Sequence, residues 1–470
     1  MSRLSEYLDY LLTQKDISKY VLAKKIGIDN SSFYKMLSGQ RKISYHIFEQ
    51  ILKYVSLTYE EKKELNRLYK IMTIGEDKWR SRQKILQFIQ ALNEDEEDIS
   101  FYHKADLSQI TPGNIKGRKN LSRVISSLIF SEIHQGSDLK IICQTNFSFL
   151  YDTLKLVESK KNLKIEQILC FENSGQSQTI DNIQILSVIA PLFRSSFSYE
   201  PYYFYGNSSS YCGSMTLFPF LILGEHAGVL FSSDCENGIV FTDSAILSTL
   251  SERFKILKHR AEPLLMSLSD TANVQTKLAQ QKLFPNKEIY VLCPNVFFSN
   301  HCNTDFWVNL LKEDLPDRQD LTELMRKERA QVQKQASINQ VYSYFTREGV
   351  MDFWNNGHVI DVLADYYKPI SKEDRHMILQ KTLEDIKSDR LKGRLFRKNV
   401  LSFARDFYLI MQSENTVNCI LRKRNGTFVG IHFQENTLCE GMEDFLINLD
   451  EELLESKEVT MEFFRQLLQI

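Results

Sequence analysis

The chain of 470 residues is short of the signatures that fix a chemistry at sight. It has no run of about eighteen apolar residues, which excludes an obvious membrane-spanning helix. Its N-terminus has no apolar signal core, so the sequence predicts a soluble, cytoplasmic protein with no membrane partner. Eight cysteines fall between Cys143 and Cys439 without a CxxC pair. That distribution predicts reduced, mostly buried thiols rather than a zinc knuckle or a disulfide framework. The nine histidines include no HExxH pair, so no metal site is expected. GxSxG, Walker A and dinucleotide-binding glycine patterns are missing as well. The sequence is therefore read as having no catalytic residues and no cofactor, and not as an enzyme.

What is present is the balance of a folded protein, 43% hydrophobic and 25% charged. The length exceeds what one core serves, so several domains are expected. The net charge of -2 conceals an asymmetry. Residues 1–90 hold 17 Lys and Arg against 10 Asp and Glu, a balance of +7, which leaves -9 for residues 91–470. A basic head on an acidic body favours a polyanionic partner for the head alone.

The spacing over residues 16–69 is that of a small helical bundle. Leu4, Leu8, Leu11 and Leu12 recur on one face of a first helix. Ser18 caps a second that runs to about Ile26, and Gly27 permits the tight turn after it. Asp29 or Asn30 caps a third ending near Ser38, with Gly39 as the left-handed residue beyond. Ser44 opens a fourth carrying Ile47, Ile51, Leu52 and Val55. Thr58 with Glu61 forms a capping box for a fifth, with Leu65, Leu68 and Met72. Residues 1–74 are read as this bundle and 75–111 as a connecting helix and linker. In the connector, Trp79, Ile85, Leu86 and Ile89 form a stripe that either packs on the bundle or serves dimerisation or domain coupling. Residues 93–98 read as an acidic linker.

After Pro112, helices and strands alternate. Residues 121–133, 150–157, 183–193 and 245–256 read as helices, and 139–143, 165–171, 211–223 and 228–231 as strands. This predicts an α/β sensory or dimerisation region over 112–270. Residues 271–470 read as a mixed α/β region, with strands at 289–293, 419–421 and 427–433. Long helical patterns occupy 317–348, 373–388 and 443–468, and 396–410 reads as a further helix. The two halves of the body share strand-like segments beside helices, without a convincing repeat. The fold class is thus multidomain, an all-α helix-turn-helix bundle followed by a mixed α/β body with helical C-terminal elements.

In the bundle, Ala23 and Gly27 supply small residues at a helix crossing. Leu22, Ile26, Ile28, Phe33, Met36 and Leu37 supply its core. That leaves Asn30, Ser31, Ser32, Tyr34 and Lys35 outward on the third helix, where amide, hydroxyl and cationic groups suit base edges in the major groove. Lys19, Lys24, Gln40, Arg41 and Lys42 flank them as phosphate contacts. The run from Leu22-Ala23 through Gly27 to Gly39, with the apolar helix after Ser44, resembles the Cro/C1-type (XRE-like) helix-turn-helix family. The resemblance implies that the third helix enters the major groove of double-stranded operator DNA, in a symmetric homodimer. It implies groove-facing roles for Asn30, Ser31, Ser32 and Lys35, and backbone contacts for Lys19 and Gln40-Arg41-Lys42. The second helix departs from the family in opening on Lys19-Tyr20-Val21, without the common glutamine.

In texture the body resembles a phospholipase D-like α/β fold that lacks the paired HxK motifs. That resemblance implies a sensing or structural role rather than phosphodiester hydrolysis. Glu225, His226, Asp234 and Glu236 fit either a cleft or surface turns. The aromatic run of residues 201–205 fits a ligand pocket, an interface or a core. His301, Cys302 and Asp305 form another polar group. Lys387, Arg390, Lys392, Arg394, Arg397 and Lys398 form either an anion site or a solvated helical surface. The whole predicts a sequence-specific, dimeric, DNA-binding transcriptional regulator whose body answers a small-molecule or peptide effector. A DNA-targeted enzyme and a protein-interaction scaffold stay open beside it.

Overall fold

The computed structural model describes residues 3–93, 110–157, 163–173, 178–207, 217–264, 288–296, 298, 301–315, 318–358, 367–404, 406–412, 416–424, 428–433, 435–449 and 453–469. The chain divides into two compact units, Met1–Gln83 and Lys84–Ile470.

The first unit holds α1 (Arg3–Gln14), α2 (Lys19–Lys25), α3 (Asn30–Leu37), α4 (Tyr45–Tyr54), α5 (Tyr59–Ile74) and the start of α6 (Glu76–Asn93). Local chemistry sets these boundaries. The Asp29 carboxylate, not Asn30, caps α3 by accepting from Ser32 N at 2.8 Å. Thr58 and Glu61 close a reciprocal capping box on α5, at 2.8 and 3.3 Å. Leu4, Leu8, Leu11 and Leu12 of α1 pack with Leu22, Phe33, Met36, Ile51 and Leu65 in one core. The stripe on α6 serves two places. Trp79 lies under the Arg67 guanidinium in the first unit, whereas Ile85, Phe88, Ile89 and Leu92 are fully buried in the core of the second.

The second unit begins with β1 (Gly113–Lys116), α7 (Arg118–Gln135), β2 (Leu139–Ile142), α8 (Ser148–Lys155), β3 (Lys164–Glu172), α9 (Gln178–Ile189) and β4 (Ser198–Gly206). It continues through β5 (Phe220–Leu223), β6 (Gly228–Phe231), β7 (Asn237–Phe241), α10 (Ser244–Lys258) and β8 (Glu262–Pro263). Next come β9 (Glu288–Leu292), α11 (Thr304–Leu310), α12 (Arg318–Ile338), β10 (Gln340–Phe345), α13 (Arg347–Asn356), α14 (Lys372–Lys387) and β11 (Leu391–Leu395). It ends with β12 (Tyr408–Gln412), β13 (Thr416–Arg422), β14 (Phe428–Phe433), α15 (Asn436–Ile447) and α16 (Lys457–Leu468). The chain is thus an all-α bundle followed by a mixed α/β body with helical C-terminal elements, as its composition and periodicity predict.

The strands form two sheets, ordered β1-β7-β6-β5-β2-β3-β4-β8 and β11-β10-β9-β12-β13-β14. The two orders repeat one plan. In the first, β2, β3 and β4 run parallel, and β5, β6 and β7 return as an antiparallel meander from the other side of β2. In the second, β9, β10 and β11 run parallel, and β12, β13 and β14 form the matching meander from the other side of β9. One face of each sheet enters a shared core, with Ile141, Ile165 and Ile222 from one and Leu292, Leu409 and Val417 from the other. The opposite faces are covered separately. Ile168 and Leu221 pack with Leu247 and Phe254 of α10, and Val291, Val341 and Leu395 pack with Trp307, Ile378 and Phe464.

Several expected elements differ. Residues 317–348 are not one helix, because α12 stops at Ile338 and Gln340–Phe345 is the central strand of a parallel trio. Val341 and Phe345 face one core and Tyr344 the other, so helical spacing and two-sided strand burial look alike there. Residues 396–404 are irregular rather than helical and 408–410 belong to β12, while 443–447 and 457–468 belong to two helices, with Ser456 capping the second. Residues 94–98 and 211–216, which carried linker and strand expectations, lie outside the described residues. No described helix is long and apolar enough to cross a membrane.

Candidate nucleic-acid interface

The face expected to read DNA is assembled by α2 and α3. Ala23 is fully buried where they cross, and Ile28 N donates to its carbonyl at 3.1 Å. Gly27 serves the turn through its φ of +76° rather than through space, since a Cβ there would meet nothing within 4 Å. At the far end, Gly39 N bonds to Met36 O and Gln40 N to Lys35 O, at 3.0 and 2.9 Å, with Gly39 left-handed at φ +75°. That is a Schellman closure. It points the Gln40-Arg41-Lys42 segment back along α3. From α1, the buried Ser5 hydroxyl donates to Met36 O at 2.8 Å, an anchor that the sequence did not signal.

Phe33, Met36 and Leu37 turn inward, so Asn30, Ser31, Tyr34 and Lys35 share the outer side of α3. Tyr34 is 52% exposed, and Tyr20 on α2 is 58% exposed. Ser32 has a different task from the expected one. Its hydroxyl accepts from Arg41 Nη1 at 2.9 Å, and its hydroxyl and amide hold the Asp29 carboxyl below the usual carboxylate range. Ser32 therefore braces Arg41 against the start of α3 instead of reaching outward. Lys19 also departs from expectation, because its ammonium is paired with Asp9 of α1 and only half-exposed. Among the described residues, Lys24, Lys25, Lys35 and Lys42 are exposed and form no ion pair, whereas Arg3, Lys15, Arg67 and Arg80 do.

The polar candidates of the second unit do not converge. Residues 224–227 form the turn between β5 and β6, and the buried Glu132 carboxylate of α7 accepts from Glu225 N, His226 N and Ala227 N at 3.1, 2.9 and 2.8 Å. His226 Nδ1 lies 3.1 Å from the same carboxylate. Asp234 accepts from Glu236 N within the next turn, and Glu236 accepts from Arg118 N at the start of α7. These are turns held by carboxylates, not a cleft. The aromatic run lies on β4, whose Tyr205 hydroxyl donates to the buried Glu435 carboxylate capping α15. His301 faces Asp385 at 3.6 Å, and burial pulls its imidazole down to about 4, while Asp305 pairs with Arg326 instead. The basic run is not a helical surface: Lys392 and Arg394 lie on β11, Arg390 pairs with Asp385 and Lys392 with Asp389. The seven described cysteines are buried, and no group of three or more His, Cys, Asp or Glu that could hold a metal occurs among the described residues. A pocket lined by Asn295, Thr346 and Glu348 was not signalled by any local spacing.

No protein-family model matches the chain, and no curated protein matches it. Among solved structures, TrmBL2, an archaeal chromatin protein with a novel mode of DNA binding, is 10% identical with a TM-score of 0.19. That match covers 49% of this chain and 87% of the other. Phosphatidylserine synthase from Haemophilus influenzae Rd KW20 is 9% identical with a TM-score of 0.23, covering 84% of this chain and 98% of the other. At these scores neither likeness bears on what the chain does.

Proposed function

We propose that the chain is a sequence-specific DNA-binding transcriptional regulator of the Cro/C1 (XRE-like) type. It acts in the cytoplasm as a homodimer on operator DNA and is modulated through its second unit, to which we assign no catalytic step. The observation that carries this reading is the outer side of α3. Asn30, Ser31, Tyr34 and Lys35 stand together there, and Arg41 is fixed to the same helix through Ser32. Amide and cationic groups at that spacing suit base edges, and the flanking Lys24, Lys25, Arg41 and Lys42 suit phosphates. Lys19, engaged by Asp9, contributes less than its position in the motif implies.

The test is Asn30→Ala with Lys35→Ala in the full chain. The double variant is expected to keep its far-ultraviolet circular dichroism and melting temperature while losing preference for a selected site over random duplex. Undiminished preference would overturn the assignment. Arg41→Ala is expected to weaken specific and non-specific binding together and to lower the log–log salt slope by about one.

A further inference from the structure

A pocket of about 1070 Å³ opens in the second unit at the carboxyl ends of β9 and β10. Pro294 and Asn295 directly follow β9, Thr346 follows β10 and caps α13, and residues 399–404 lie on the path from β11 to β12. The strand order turns at β9, with β10 and β11 on one side of it and β12 on the other. In open α/β sheets, ligands bind outside the carboxyl ends of the strands at such a turning point.

The backbone around this pocket is firmly held. Thr346 N and Thr346 Oγ1 both donate to Pro294 O, at 3.0 and 3.2 Å. A Cβ at Gly349 would sit 2.1 Å from that carbonyl, so α13 and the loop after β9 approach each other more closely than any other residue would permit. Cys293 Sγ donates to Asn295 O at 2.7 Å and fixes the main chain of Asn295. Asn93, at the end of α6, accepts from Ala404 N at 2.9 Å on the other side.

The Asn295 side chain has no such engagement. The residue lines the pocket and is 1% exposed, and neither Oδ1 nor Nδ2 has a hydrogen-bond partner. Folded interiors seldom leave such a group unmet, and a hydrogen bond made to it away from bulk water is the stronger for that shielding. Charge does not name the ligand, because Glu348, Asp352 and His358 all line the pocket and Asp352 already accepts from Asn356 at 2.6 Å. The hydrogen-bonding pattern does. A primary amide offers a donor and an acceptor side by side in one plane. An ammonium, which only donates, meets Oδ1 alone, and a carboxylate or phosphate oxygen, which accepts, meets Nδ2 alone. Both are met at once by a flat edge with an acceptor beside an N–H, as in a carboxamide or a nucleobase, the geometry by which asparagine grips adenine. Phe403, half-buried in the same wall, adds apolar surface for a flat ring.

We propose that this pocket binds an uncharged ligand through an amide-type edge, that of a nucleobase or a carboxamide. The N–H of that edge donates to Asn295 Oδ1, and its acceptor takes a hydrogen bond from Asn295 Nδ2. The binding stands apart from the DNA-binding reading; only the ligand's role as effector rests on it.

Titration calorimetry on the full-length protein tests the proposal. Adenosine and cytidine probe the nucleobase source and nicotinamide the carboxamide source, each beside its N,N-dimethyl analogue, which lacks the N–H. Spermidine and inorganic phosphate are the ionic controls. At least one probe is expected to bind with Kd below about 1 mM, and its dimethyl analogue about tenfold more weakly or worse. Asn295→Leu should keep the parent's melting temperature without ligand and weaken the same probe about tenfold or more. If that variant does not fold, the comparison of probe with dimethyl analogue on the parent protein decides alone. No binding of any of the three probes, equal binding of the dimethyl analogue, tighter binding of spermidine or phosphate, or undiminished binding in the folded variant would overturn it. A gel shift on the parent protein is read separately, so failure to bind DNA would sink the regulator reading and leave the ligand result standing.

Discussion

The two sheets of the second unit follow one strand plan but finish the carboxyl ends of their parallel strands in opposite ways. After β2 come Cys143 and Gln144, and the Gln144 amide donates to Cys170 O on β3 at 3.2 Å. Asn182 of α9 accepts from Glu172 N and donates to Glu172 O at the end of β3, then reaches Thr437 Oγ1 at 3.3 Å. After β9 come Cys293, Pro294 and Asn295, and there the amide is unpartnered beside a pocket. The frameworks otherwise agree closely. Each meander leads into an acidic helix cap, Asp243 accepting from Ala245 N and Ile246 N, and Glu435 from Thr437 N and Leu438 N. A shared framework whose strand-end amides are bonded in one copy, apart from Gln144 Oε1, and unpartnered beside a pocket in the other places the difference between the copies in the loops.

Substitutions can break or sharpen this contrast. The largest effect is expected for Glu132→Ala, which strips a buried carboxylate from three backbone donors of the turn in the first sheet. A loss of about 3–5 kcal/mol in urea unfolding is predicted, and a loss under about 1 kcal/mol would show that buried side chains do not fix that end. Gly349→Ala pushes a methyl group onto Pro294 O and should cost about 1–3 kcal/mol. A paired comparison cuts closer. Gln167, which donates to Cys143 O and Tyr151 Oη and accepts from Tyr199 Oη, should cost about 1–3 kcal/mol when replaced by Leu. Asn295→Leu removes a polar group that has no partner, so in the absence of ligand it should be neutral within about 0.5 kcal/mol, or stabilising. Similar losses for both would erase the distinction between the filled and open copies. Smallest is Thr58→Ala in the first unit, about 1 kcal/mol from one helix cap, read by exchange of the α5 amides.

The first unit was legible because its determinants are local. Caps at Ser18, Asp29 and Thr58, left-handed glycines at 27 and 39 and an inward Phe33, Met36 and Leu37 act within one helical turn of where they stand. What the sequence concealed there was long-range pairing, in which Asp9 takes Lys19 and Arg41 takes Ser32. The body was legible in its alternation of helices and strands but not in its repeat. β10 hid inside a helical pattern because both its faces are buried, and without it the parallel trio of the second sheet could not be recognised. The pocket had no local signature, since Asn295, Thr346 and Ser402 come from loops after different strands and meet only through the sheet order.

The central claim, that the first unit reads DNA sequence, is tested most directly by selecting genomic fragments with the purified full-length protein at a stated salt concentration. Repeated enrichment of a palindrome with half-sites about one helical turn apart, lost in the Asn30→Ala, Lys35→Ala variant, is the predicted result. Fragments recovered without a common sequence, or an enrichment that the variant retains, would contradict it.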